Sequence, residues 1–100
     1  MRNSKQTNHF LIHPGVTVAE VLEDRGITLD KLSYMFRDKY PESHPAEVRE
    51  YVQKIIDGEI GIMPRMATFL EEVVGVPYSF WMNLQRNYDA KLKERTKGND

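Results

Sequence analysis

Thr28 to Gly58, TLDKLSYMFRDKYPESHPAEVREYVQKIIDG, holds two amphipathic segments and the punctuation that separates them. Leu29, Leu32, Met35 and Phe36 recur at helical spacing. Thr28 stands just ahead of them as an N-cap. Pro41 keeps Tyr40 out of helical geometry, so the segment ends near Lys39. Tyr40-Pro41-Glu42-Ser43-His44-Pro45 reads as a loop, and Pro45 suits the first turn of the next helix. Val48, Tyr51, Val52, Ile55 and Ile56 share one face of that helix, which Asp57-Gly58 closes.

On the N-terminal side, His13-Pro14-Gly15 is a turn signal. Thr17 with Glu20 three residues on has the capping-box pattern. Val18, Val21 and Leu22 then form an apolar face, and Gly26 stops the helix. Residues 1–12 read as an arm, polar to Asn8, with Phe10, Leu11 and Ile12 tethering its end. On the C-terminal side, Glu59 to Met63 is a connector. Pro64 opens a helix with Met66, Ala67, Phe69, Leu70, Val73 and Val74 inward, closed by Gly75. Ser79 is expected to cap a last helix carrying Phe80, Trp81, Leu84, Tyr88 and Leu92. Beyond Lys93 the chain is polar and expected to fray. Nothing demands a sheet; residues 9–12 and 60–62 are the two places where a short strand would fit. The expectation is an all-α domain of five short helices over 13–97, an arm at 1–12 and a frayed tail at 98–100. Five short helices with tight second and third connections suggest a helix-turn-helix.

Composition narrows the function. The chain has 100 residues, enough for one small core. It contains no cysteine, which excludes disulfides, thiolate catalysis and cysteine-based zinc sites. No apolar run approaches the roughly 20 residues that span a bilayer, and Met1 to Asn8 lacks the apolar stretch of a secretory signal. A cytoplasmic address follows as the default. Net charge is −1, so attraction to DNA must come from local arrangement and from doubling in a dimer. Positive charge concentrates at the ends: Arg2 and Lys5, then Arg86, Lys91, Lys93, Arg95 and Lys97.

Three stretches together resemble one family. His13-Pro14-Gly15 precedes a helix. Ile55-Ile56-Asp57-Gly58 is followed by Gly61-Ile62. Phe80-Trp81-Met82-Asn83-Leu84-Gln85 leads into Tyr88-Asp89. Over roughly residues 13–92 the chain resembles the HigA-type antitoxins, a branch of the Xre/Cro-repressor helix-turn-helix class. The resemblance implies a lambda-repressor-like fold and a homodimer that represses its own operon on double-stranded DNA. It also implies a HigB-like toxin, a small ribonuclease held inactive. Two features differ from the family: Arg37 to Pro45 lengthens the connection between helices two and three, and Glu59-Ile60 stands where a basic segment is common. Either helix two is extended or the next helix is displaced.

A recognition helix reads base edges with its exposed side chains. Helix three offers Glu47, Arg49, Glu50, Gln53 and Lys54. Arg49 suits guanine, Gln53 adenine, and the two glutamates cytosine. Thr28 and Lys31 are candidates to hold a phosphate, and His44 to touch DNA beside the start of helix three. Phe80, Trp81, Leu84 and Tyr88 admit two readings, a dimer or toxin surface and a core anchor. His9, His13 and His44 are too dispersed to suggest a metal. Glu23-Asp24 and Glu71-Glu72 are neighbours that point apart on their helices, a solvated face rather than a catalytic pair. No cofactor and no enzymatic activity are expected. Two further functions stay open: a stand-alone phage or mobile-element regulator, and a protein-binding module that has lost DNA binding.

Overall fold

The computed structural model describes residues 11–98, and side chains as far as Arg95. It contains α1 (Pro14–Asp24), α2 (Leu29–Lys39), α3 (Pro45–Ile56), α4 (Pro64–Val74) and α5 (Tyr78–Gly98). Among the described residues there is no strand, and residues 60–62 form an irregular connector. Residues 9 and 10, the other half of the expected strand or tether, lie outside the described residues, as does most of the arm. No described helix is long and apolar enough to cross a membrane.

Local chemistry sets most helix ends. Gly26 and Gly58 take left-handed φ values of 68° and 82°. Each lets the chain fold back on the preceding helix: Ile27 N–H donates to the Leu22 carbonyl, and Glu59 N–H to that of Lys54. Gly75, φ 79°, ends α4. Thr28 Oγ1 accepts the Lys31 N–H at 3.1 Å, as expected of a cap. Pro45 and Pro64 open α3 and α4. The lengthened connection between α2 and α3 is the five-residue loop 40–44, held by Ser43 Oγ donating to the Tyr40 carbonyl at 2.7 Å.

Three terminal expectations need correction. Helix α1 starts at Pro14, not after Thr17, because His13 Nδ1 accepts the Gly15 N–H at 2.9 Å. Helix α5 starts at Tyr78, so Ser79 is inside it; Glu71 of α4 caps it from a distance, accepting the Tyr78 N–H at 2.7 Å. Ile12, expected as a tether, is 63% exposed.

The core draws Val18 and Leu22 from α1, Leu32 and Phe36 from α2, and Val48, Val52 and Ile55 from α3. Met66, Ala67, Phe69, Leu70 and Val74 come from α4 and Trp81 from α5, with Ile62 between α3 and α4. Phe36 and Phe69 meet edge to face, centroids 4.8 Å apart. Helix α2 packs chiefly on α3, α1 on α3, and α5 on α4 with a smaller contact on α1. Arg25 Nε donates to the Val74 carbonyl at 3.1 Å, and Lys39 pairs with Glu72 at 3.1 Å, so α4 is tied to the ends of α1 and α2. At 1.5 Å per residue α5 is about 31 Å long and α4 about 16 Å. Helix α5 therefore outruns its cover, and Leu92, expected on its buried face, is 40% exposed.

Candidate nucleic-acid interface

Helix α3 divides as its pattern requires. Val48, Val52 and Ile55 are buried, while Glu47, Arg49, Glu50, Gln53 and Lys54 are exposed. The start of α2 meets this face where Asp30 approaches Arg49, and Thr28 and Lys31 beside Asp30 and His44, the N-cap of α3, are exposed as well. His44 makes no side-chain cap bond; its carbonyl accepts the Glu47 and Val48 N–H groups at 3.0 Å each. The Thr28 oxygen is engaged as a cap, but its hydroxyl hydrogen remains to donate.

The cations on this face have acidic neighbours. Arg49 reaches back to α2 and pairs with Asp30. Lys54 pairs with Glu50 at 3.8 Å, one helical turn away. Gln53 Nε2 donates to Asp57 Oδ1 at 3.0 Å. Asp30 and Asp57 were not among the sequence candidates: Asp30 lies 19 residues from Arg49, and only the packing of α2 on α3 joins them. Counting Asp30, Lys31, Glu47, Arg49, Glu50, Lys54, Asp57 and Glu59, the face holds three cations and five carboxylates, an excess of two negative charges. An open groove of about 480 Å³ runs along it, lined by Leu29, Ala46, Arg49, Glu50, Gln53, Lys54, Asp57 and Glu59. Both ion pairs are solvent-exposed, with side chains 47–71% accessible. Exposed pairs are each worth little and exchange readily for another anion.

The second candidate set, on α5, is mostly used inside the molecule. Trp81 is fully buried, and its Nε1 donates to the Val76 carbonyl at 3.1 Å. This is the core-anchor reading, and it leaves the indole no surface to offer. Phe80 is 42% exposed and meets Trp81 edge to face at 5.3 Å. Leu84 lies at the margin of the core. Tyr88 packs edge to face on His13, centroids 4.8 Å apart.

Gln85 stands in the stretch Phe80 to Gln85, but sequence alone assigns it no role. Its Oε1 accepts the Ile62 N–H at 2.7 Å, and its Nε2 donates to Asp89 Oδ1 at 3.0 Å. Gly61 lies against the same amide, where a Cβ would come within 2.7 Å of Gln85 Nε2. Gly15 lies so close to the end of α3 that a Cβ would fall 1.8 Å from the Ile55 carbonyl oxygen. The three stretches carrying the family resemblance thus meet at one joint between the start of α1, the end of α3 and the middle of α5. Burial pushes the pKa of His13, at the centre of that joint, below the ordinary histidine value, against smaller opposing effects of Asp89 and the Ile60 backbone. On α3, burial likewise raises the pKa of Tyr51. Among the described residues no group of three His, Asp or Glu side chains is placed to hold a metal ion. No protein-family model matches the chain, and no curated protein is similar to it at a significant level.

Proposed function

We propose that the chain is a helix-turn-helix protein of the HigA kind, an antitoxin that binds its own promoter as a homodimer and neutralises a ribonuclease toxin. One observation carries the DNA-binding part. Arg49, Gln53 and Lys54 stand together on the outer face of α3, none is needed by the core, and the capped start of α2 lies beside them. Arg49 and Gln53 are side chains whose paired hydrogen-bonding groups match guanine and adenine edges. The joint between residues 13–15, 55–62 and 80–89 supports the fold assignment, since the motifs of the resemblance act together there.

The test is a titration of the full chain into labelled DNA from upstream of its own gene, with scrambled DNA as control, at two salt concentrations. Preference for the cognate DNA that weakens with salt is the expected result. Each phosphate neutralised steepens the logarithmic salt dependence by about 0.9. Arg49→Ala and Gln53→Ala are each expected to weaken cognate binding, by about 1–3 kcal/mol for a lost bidentate contact. Equal affinity for the two DNAs at low salt would overturn the repressor reading.

A second reading is favoured by the charge of the same face. With five carboxylates around three cations, the outer surface of α3 suits a basic protein partner better than a phosphate backbone. A stable complex with an adjacently encoded basic protein, combined with no cognate DNA preference, would select it.

A further inference from the structure

His13 is held by three elements at once. Its Nδ1 accepts the Gly15 N–H at 2.9 Å and so caps α1. That bond requires an unprotonated Nδ1, which leaves Nε2 to carry the hydrogen of the neutral ring. The Ile60 backbone, in the connector after α3, favours the protonated ring slightly. Tyr88 of α5 presses on the ring face at 4.8 Å and an interplanar angle of 67°. Gly58, at the end of α3, faces the ring: a Cβ there would lie 3.7 Å from it.

Adding a proton changes what this ring can do. The cation has two donors and no acceptor, so the Gly15 N–H loses its partner. The first turn of α1 has no acid to take it over. From α5, the charged group bearing on the ring is Asp89, and Tyr88 is the other titratable neighbour. The end of α3 and the connector present Gly58 and the Ile60 backbone. Asp89 is already bonded to Gln85 Nε2, and Gln85 Oε1 holds the Ile62 N–H. The charge of Asp89 thus acts on the His13 ring, and Asp89 is joined through Gln85 to the backbone of the connector.

We propose that His13 is a proton-operated latch: neutral, it caps α1 and closes the joint between α1, α3 and α5; protonated, it exchanges that cap for Asp89 and loosens the Gln85–Ile62 bond. The direction follows from linkage. The folded ring binds its proton less readily than the unfolded one, chiefly because of its burial. The stabilisation is complete above the unfolded histidine value of about 6.5 and is lost as pH falls through the lower folded value. Asp89 opposes this by attracting the cation, so removing its charge should push the transition to still lower pH. The latch does not depend on whether α3 reads DNA.

The experiment is an NMR titration of the full chain between pH 8 and 5, following the His13 ring and the Gly15 and Ile62 amides. The expected result is a His13 midpoint below 6.5, with both amides moving on the same midpoint and the Gly15 amide exchanging faster below it. Asp89→Asn lowers that midpoint. His13→Asn keeps a capping oxygen but gains no proton, so it should abolish the pH response of both amides. The proposal is overturned if the amides ignore the His13 titration in the native chain, or if His13→Asn retains their response. The native-chain titration decides the matter even if the variant does not fold.

Discussion

Gly15 decides what the joint between α1 and α3 tolerates. Ordinarily Gly→Ala within a helix gains up to about 1 kcal/mol from propensity. At Gly15 the new methyl would sit 1.8 Å from the Ile55 carbonyl oxygen, which is backbone and cannot swing away. Overpacking of this kind typically costs about 1–3 kcal/mol and occasionally more, so the clash should win. Gly15→Ala is expected to lower the unfolding free energy measured in urea by about 1–2 kcal/mol, net; a variant as stable as the parent would mean α1 and α3 can move apart at little cost. Trp81→Phe tests the core. It removes the donor to the Val76 carbonyl and part of a fully buried ring, and an unsatisfied partly buried acceptor alone costs about 1–3 kcal/mol. A loss within that range or above is expected by thermal or chemical unfolding. At this scale legibility in the sequence was uneven. The capping of α2 by Thr28 is a local matter between residues three apart, so it could be read. The capping of α1 by His13 could not: imidazole is an uncommon cap, and the packing of Tyr88 on the ring is a contact between distant parts of the chain.

The helices themselves were legible because each carries its own apolar period and most carry proline or glycine at their ends. Pro45, Pro64, Gly26, Gly58 and Gly75 act within one turn of the helix they open or close. Helix α5 shows where that reading stops. Its start depends on Glu71, seven residues upstream on another helix, while Ser79 matched the local rule without serving it. On α3 the inward and outward faces followed the period, but the partner of Arg49 lies on α2. That pairing makes a prediction about the element. Asp30→Asn frees Arg49 and removes one negative charge from the face. If α3 contacts DNA, affinity for both cognate and scrambled DNA should rise several-fold at low salt, with the gain shrinking as salt increases. Affinity unchanged by Asp30→Asn would place the DNA contact away from α3. Thr28→Ala should cost about 1 kcal/mol of stability through loss of the α2 cap.

At the scale of the whole molecule, all five helices contribute to the core and the end of the fifth extends past it. The residues from Lys91 to Arg95 are exposed and carry Lys91, Lys93 and Arg95 against Glu94. The burial of Trp81 has a practical consequence of its own. It is the sole tryptophan of the chain, it is wholly shielded from water, and it sits on α5 rather than on the outer face of α3. Its emission should be blue-shifted in the native protein and move to the red on unfolding. A ligand seated on α3 should leave that colour alone, so intrinsic fluorescence offers a label-free gauge of folding on which binding at α3 is nearly silent.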